Sequence, residues 1–118
     1  MLSVLDLSAV KSFLSLCQRE IPKGNRRFIS RILTINGKKI TSKQALLNLG
    51  ITNELEMWKY VLKLIPSECV KVDFDYNPRM DMNSEIFVFK KEINNKIVYI
   101  KLTLRIDNII CLSFHESH

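Results

Sequence analysis

The sequence predicts an α+β domain, a run of helices followed by a run of strands. Three observations lead there. Outside a β-prone segment at residues 27–40, apolar residues recur at spacings of three and four through residue 65, and from Val70 onward the period drops to two. Tight-turn signals at Asn94-Asn95 and Asp107-Asn108 then divide the second part into consecutive strands. The expectation is a single small domain over residues 1–118. Its antiparallel sheet would have about four to six strands, packed against two to three helices.

Each element has its own justification. Leu7, Val10, Leu14, Cys17 and Ile21 form one helical stripe, Ser3 with Asp6 resembles a capping box, and Pro22 and Gly24 stop the helix. Arg27 to Ile35 is β-prone, Asn36-Gly37 is a tight-turn signal, and Lys38 to Ile40 returns as a short strand. Thr41 followed by Gln44 suggests a second capping box, opening a helix through Ala45, Leu46, Leu47 and Leu49 with Gly50 as its cap. A third helix begins near Thr52-Asn53 and buries Leu55, Trp58, Val61, Leu62 and Ile65 before Pro66.

The strands follow. Val70, Val72 and Phe74 alternate with Lys71, Asp73 and Asp75, a half-buried pattern. Tyr76 to Ser84 is polar, contains Pro78 and reads as a loop; Glu85 to Ile93 is the next strand. The last two strands sort into two faces. Val98, Ile100, Leu102, Leu104 and Ile106 point one way, and Tyr99, Lys101, Thr103 and Arg105 the other. After Asp107-Asn108, Ile110, Leu112 and Phe114 continue the apolar face and Cys111, Ser113 and His115 the polar one. That polar face carries the side chains needed to bind a phosphate and move a proton.

Composition bounds the function classes. At 47% hydrophobic and 25% charged, the chain is a globular domain rather than a disordered one. No apolar run is long enough to span a bilayer, and the first residues lack a basic region followed by an apolar core and cleavage site, so no membrane is expected. Cys17, Cys69 and Cys111 are odd in number and widely spaced, which fits reduced, buried thiols in a cytoplasmic protein. Cys111 and His115 have no further ligand pair nearby, and Asp73, Asp75 and Asp81 read as solvated acids, so neither a metal nor another cofactor is expected.

Charge is concentrated. Arg19, Lys23, Arg26, Arg27, Arg31, Lys38, Lys39 and Lys43 stand against the single acid Glu20, so residues 19–43 carry more positive charge than the whole chain's net +6. Such an excess favours a polyanion through phosphate contacts and counterion release. Arg26, Arg27, Arg31, Lys38 and Lys39 are therefore candidate RNA-binding residues, with Arg105 on the polar strand face. A solvated basic surface or a dock for an acidic protein fits the same pattern.

Several segments resemble the MqsR-type toxins of bacterial toxin–antitoxin systems. They are Ala45-Leu46-Leu47-Asn48-Leu49-Gly50-Ile51-Thr52, Phe87-Val88-Phe89-Lys90-Lys91-Glu92-Ile93-Asn94, Val98-Tyr99-Ile100-Lys101-Leu102 and Cys111-Leu112-Ser113-Phe114-His115. The pattern Ala9-Val10-Lys11-Ser12-Phe13-Leu14 is similar to that family's opening, and the last third is the most specific part. The resemblance implies a RelE-like α+β fold, cleavage of messenger RNA that inhibits translation and growth, and neutralisation by a cognate antitoxin protein.

Residue by residue, the family's sheet-face tyrosine and the lysine after it match Tyr99 and Lys101. Its first-long-strand lysine matches Lys71, with Val70 where a tyrosine can precede it. The basic residue after Ser-Phe falls on His115, a lysine elsewhere in the family. A glutamine implicated in the family aligns with Val88 or nearby, leaving that role vacant, and Ile32 to Lys43 looks like an insertion.

The chemistry can be stated without the family. Metal-free RNA cleavage uses the substrate's 2′-hydroxyl as nucleophile, so the site must accept that proton, stabilise the phosphorane and protonate the leaving 5′-oxygen. His115 is the candidate acid or base, since imidazole titrates near neutrality. Lys101 and Arg105 would hold the phosphate, with Lys71 completing its site, and Tyr99 would donate a hydrogen bond or stack on a base. The catalytic expectation is thus His115, Lys101, Tyr99 and Lys71. The competing expectation is a non-catalytic basic module that grips nucleic acid or an acidic protein, for example a counter-defence inhibitor, through residues 19–43.

Overall fold

The computed structural model describes residues 6–77 and 82–117. Its helices are α1 (Leu7–Glu20), α2 (Ser42–Asn48) and α3 (Glu54–Val61). The strands are β1 (Arg26–Phe28), β2 (Ile32–Ile35), β3 (Lys38–Thr41), β4 (Cys69–Asn77), β5 (Met82–Ile93), β6 (Lys96–Arg105) and β7 (Asn108–Glu116). Single 3-10 turns fill Ile21–Lys23 and Pro66–Glu68. The fold is α+β, with β4 to β7 an antiparallel meander as the sequence predicts. Ser3, Pro78, Asp81 and His118 lie outside the described residues.

One expectation about the sheet changes. Its order is β1-β7-β6-β5-β4, and β1 joins parallel to β7, so the sheet is mixed rather than antiparallel throughout. The β-prone run from Arg27 to Ile35 is broken: Ile29 N–H donates to Cys111 O at 3.0 Å, and the chain then bends away. Beyond the bend, β2 and β3 pair with each other alone, across Asn36 (φ 51°) and Gly37 (φ 77°). Two successive left-handed residues make the turn that matches strand twist, which is why Asn-Gly marks it.

The helices cover one sheet face. Asp6 caps α1, its carboxylate accepting from the N–H groups of Ser8 and Ala9, and Thr41 and Asn53 cap α2 and α3 in the same way. Val10, Phe13, Leu14 and Cys17 turn inward, and the Phe13 ring stacks on Phe87 at 4.1 Å. Leu7, expected in that stripe, is 52% exposed because it starts the helix beyond the edge of the packed layer. In α3 the inward residues are Met57, Trp58 and Val61, whereas Leu55 is exposed. The helix is rotated from the expected stripe and ends at Val61, leaving Ile65 exposed before the 3-10 turn. Leu47 likewise faces out, while Ala45, Leu46 and Leu49 are buried.

The strands show three further differences. β4 and β5 run through Tyr76, Asn77, Met82, Asn83 and Ser84, a stretch expected as loop, because cross-strand pairing continues to Asn77↔Met82. The last hairpin turns at Ile106 (φ 47°) and Asp107 (φ 63°), one residue earlier than expected, so Ile106 is 77% exposed and Leu104 is half out of the core. Val70 and Phe74 are exposed on the edge strand β4, Val70 as the extra residue of a bulge, and Cys69 takes the buried position.

The expected faces of β7 are also corrected. Leu102 pairs with Cys111 and Lys101 with Ser113, so Leu112 is an extra residue bulged out of the ladder. Parity flips there. Cys111 and Phe114, three residues apart, both enter the core, while Ile110, Ser113 and His115 share the opposite face. No helix among the described residues is long and apolar enough to cross a membrane.

Candidate functional site

The face turned away from the core cluster carries two adjacent cross-strand rows. The first is Lys90 on β5, Tyr99 on β6 and His115 on β7; the second is Lys71 on β4, Val88 on β5, Lys101 on β6 and Ser113 on β7. The Tyr99 and His115 rings lie 5.7 Å apart between centroids, tilted by 33°. The Lys101 ammonium sits 5.6 Å from the Tyr99 ring centroid, within cation–π reach. Three of the four expected catalytic residues therefore meet in one place.

Two bulges frame the second row. In β4, Cys69 pairs with Phe89 and Lys71 with Val88, leaving Val70 as the extra residue. In β7 the extra residue is Leu112, at the same level of the sheet. Each bulge bends its strand and re-aims the side chain beside it. Here those side chains are Lys71 and Ser113.

A residue from outside the sheet completes the group. The Arg31 guanidinium donates to Ser113 Oγ, and Ser113 is 3% exposed. The Arg31 backbone is held on both sides by Ser42, whose Oγ accepts from Arg31 N–H at 3.0 Å and whose N–H donates to Arg31 O at 2.9 Å. The sequence placed Arg31 only in a diffuse basic segment. The structure sets it in the row with Lys101.

The histidine has a defined proton. His115 Nδ1 lies 2.9 Å from Glu116 O, and a carbonyl only accepts, so Nδ1 carries the hydrogen. In the neutral ring that leaves Nε2 as the nitrogen able to accept a proton. Among the described residues neither Lys90 nor Lys101 is in an ion pair, so the rows present uncompensated positive charge around that base.

The remaining expected residues distribute as follows. Lys71 shares the row of Lys101 but is separated from it by the β5 strand, about 9–10 Å between backbones. Its ammonium is 3.3 Å from Asp73. Arg105 is in phase with Lys101 but beyond Thr103, four residues or about 13 Å along the strand. The two are therefore too far apart to clamp one phosphate group. Arg27 is exposed and in register with Ile110 on the face turned away from the core cluster, whereas the Arg26 guanidinium donates back to Ile21 O at 2.8 Å and serves the end of α1. Lys38 and Lys39 project from the β2–β3 hairpin, and Lys38 borders a cleft that also contains His115.

The face is less polar at its centre than expected. Val88, Thr103, Ile110 and Ser113 are buried there, with Thr103 Oγ1 donating to Glu85 O at 2.7 Å. Among the described residues no cluster of histidine, cysteine or acidic side chains could hold a metal ion. All three cysteines are free and buried. Burial pushes the Cys17 thiol up to about 12 and raises Cys69 and Cys111 as well, so none offers a thiolate nucleophile near neutral pH. No protein-family model matches the chain, and no curated protein does either.

Proposed function

We propose that this chain is a metal-independent endoribonuclease that cuts single-stranded messenger RNA in the cytoplasm, an mRNA interferase of the MqsR and RelE type held in check by a cognate antitoxin. The observation that supports it is the meeting of an imidazole with a free Nε2, a phenol and two cations, Lys101 and Arg31, on one sheet face.

In this reading His115 Nε2 takes the proton of the 2′-hydroxyl as that oxygen bonds to phosphorus. Lys101 and Arg31 neutralise the phosphorane, the guanidinium offering a fixed fork of donors. The bond from phosphorus to the 5′-oxygen breaks, Tyr99 supplies the proton to the leaving oxygen, and a 2′,3′-cyclic phosphate remains. Lys71, Arg27 and Arg105 grip neighbouring phosphates.

The test is incubation of purified protein with a defined single-stranded messenger RNA, with and without EDTA, ends being mapped by primer extension. Discrete cuts that survive EDTA and vanish in a Lys101→Ala, His115→Ala double variant are the expected result. Cuts that persist in the variant would sink the site assignment. The basic hairpin carrying Lys38 and Lys39 favours a second reading, a non-catalytic module for nucleic acid or an acidic protein. That reading expects salt-sensitive binding, no cleaved product even with translating ribosomes, and dependence on Arg27 rather than His115.

A further inference from the structure

We propose that the cleft between the β2–β3 hairpin, α2 and the end of β7 is a nucleobase subsite, taking the base beside the phosphate at Lys101. The proposal deepens the RNA-cleaving reading and rests on it.

The cleft has a volume of about 230 Å³, below the roughly 300–1,000 Å³ of pockets that hold drug-sized ligands. That suits one planar ring rather than a whole nucleotide. Ile40 and Ala45 give it an apolar surface, and the His115 imidazole borders it. Around these stand Asn36 and Asn48, with Lys38 and Glu116 as one residue of each charge. Neither amide makes a side-chain hydrogen bond among the described residues, and each offers both donors and an acceptor. Apolar or aromatic surface for the ring face and amides for the ring edge are what recognition of an unstacked base requires.

Position argues the same way. Two larger clefts elsewhere touch neither the Tyr99 row nor the Lys101 row, whereas this one shares His115 with the site. Its outer wall is the hairpin built from Asn36, Lys38 and Ile40, within the segment that the sequence marks as an insertion. The specificity of the site would thus come from a part of the chain that supplies none of its proton chemistry.

The probe is a set of short, fluorescein-labelled 2′-O-methyl homopolymers of A, C, U and inosine, which lack the nucleophilic hydroxyl. Binding to the full chain is followed by fluorescence anisotropy. The variant is Asn36→Gly with Asn48→Ala: glycine tolerates the left-handed backbone at residue 36, and residue 48 is exposed at the end of α2, so circular dichroism should be unaltered. The expected result is one homopolymer bound at least about tenfold more tightly than the others, the scale of one good bidentate base contact. In the double variant its affinity falls to that of the others, whereas Lys101→Ala weakens all four in parallel. Equal binding of all four, or a preference that survives the double variant, would overturn the subsite. A preference lost in the variant, in a protein that cuts no RNA, would keep the subsite and remove the nuclease. Failure to bind any of the four would remove both.

Discussion

Ser42 is the residue whose loss should separate architecture from chemistry. It is 4% exposed, its hydroxyl accepts the Arg31 N–H at 3.0 Å, and it donates to a carbonyl of the same bend, Arg31 O at 3.0 Å or Ile29 O at 3.3 Å. Ser42→Ala removes both bonds. Arg31 O still receives the residue 42 N–H, so the main loss is one backbone donor left without a partner in a part-buried site. Such a group costs about 1–3 kcal/mol, and we take about 2 kcal/mol. At about 2.1 cal/mol/K per residue, 118 residues carry about 0.25 kcal/mol/K of unfolding entropy, so the melting temperature should drop by about 8 °C. Activity should fall by about tenfold or more, since a displaced bend moves the Arg31 guanidinium off Ser113. A thermal melt and the RNA cleavage assay read the two effects. In an Arg31→Ala background the backbone bond persists, so Ser42→Ala should still lower the melt while costing no further activity. A drop below about 2 °C would refute the clamp. An undiminished loss of activity in the Arg31→Ala background would refute its action through the guanidinium.

Three other perturbations test the fold that carries the site. Ile106→Asn should stabilise by about 1 kcal/mol, since a β-branched residue held at φ 47° and 77% exposed trades strain for tolerance; a lower urea midpoint would contradict this. The folded state holds the Cys17 proton up to about pH 12, against the ordinary 9.0, so its contribution is complete below pH 9 and drains away as pH rises toward 12. Between about pH 8 and 10.5 wild type should therefore lose about 2 kcal/mol more than Cys17→Ala in urea titrations, and equal losses would contradict the burial argument. Deleting Leu112 removes only the residue left over between Leu102↔Cys111 and Lys101↔Ser113, so Phe114 should stay in the core. The urea midpoint should match that of Leu112→Ala, which keeps the bulge and costs about 1 kcal/mol; a loss of more than about 3 kcal/mol on deletion would contradict the register.

Much of this fold is legible because its signals are local. Asn36-Gly37 and Asn94-Asn95 fix two hairpins through backbone conformations that other residues reach at a cost, and the polar alternation of Tyr99 and Lys101 survives intact. The two-residue turn at Asn94-Asn95 even implies the β5–β6 register, so the place of Lys90 beside Tyr99 was readable by counting back from Ile93↔Lys96. What pattern reading misses is non-local or breaks a propensity. Arg31 and Ser113 are 82 residues apart and meet only because β1 docks parallel to β7. Ile106 occupies a conformation that its side chain disfavours, so packing rather than turn chemistry decides where the last hairpin closes. The rotation of α3 toward Met57 depends on the sheet beneath it, which no helical stripe contains.

The bulges show why the candidate site stands where it does. Two core rows run across the sheet, Cys69, Phe89, Ile100 and Phe114 in one and Val72, Phe87, Leu102 and Cys111 in the other. In β5 and β6 a single residue separates these rows, Val88 and Lys101; in β4 and β7 there are two, Val70 with Lys71 and Leu112 with Ser113. Were Val70 and Leu112 paired as ordinary ladder residues instead of bulged, a period of two would carry Lys71 and Ser113 into the core phase and Phe114 out of it. Both strands insert one residue at the same level, so packing is kept on one face while Lys71, Lys101 and Ser113 align on the other. A pair of bulges costs ladder hydrogen bonds and adds nothing to the core. That cost is understandable if the row between them is the part of the sheet that has work to do, and it makes this row, rather than the basic hairpin alone, the place to look for the chemistry.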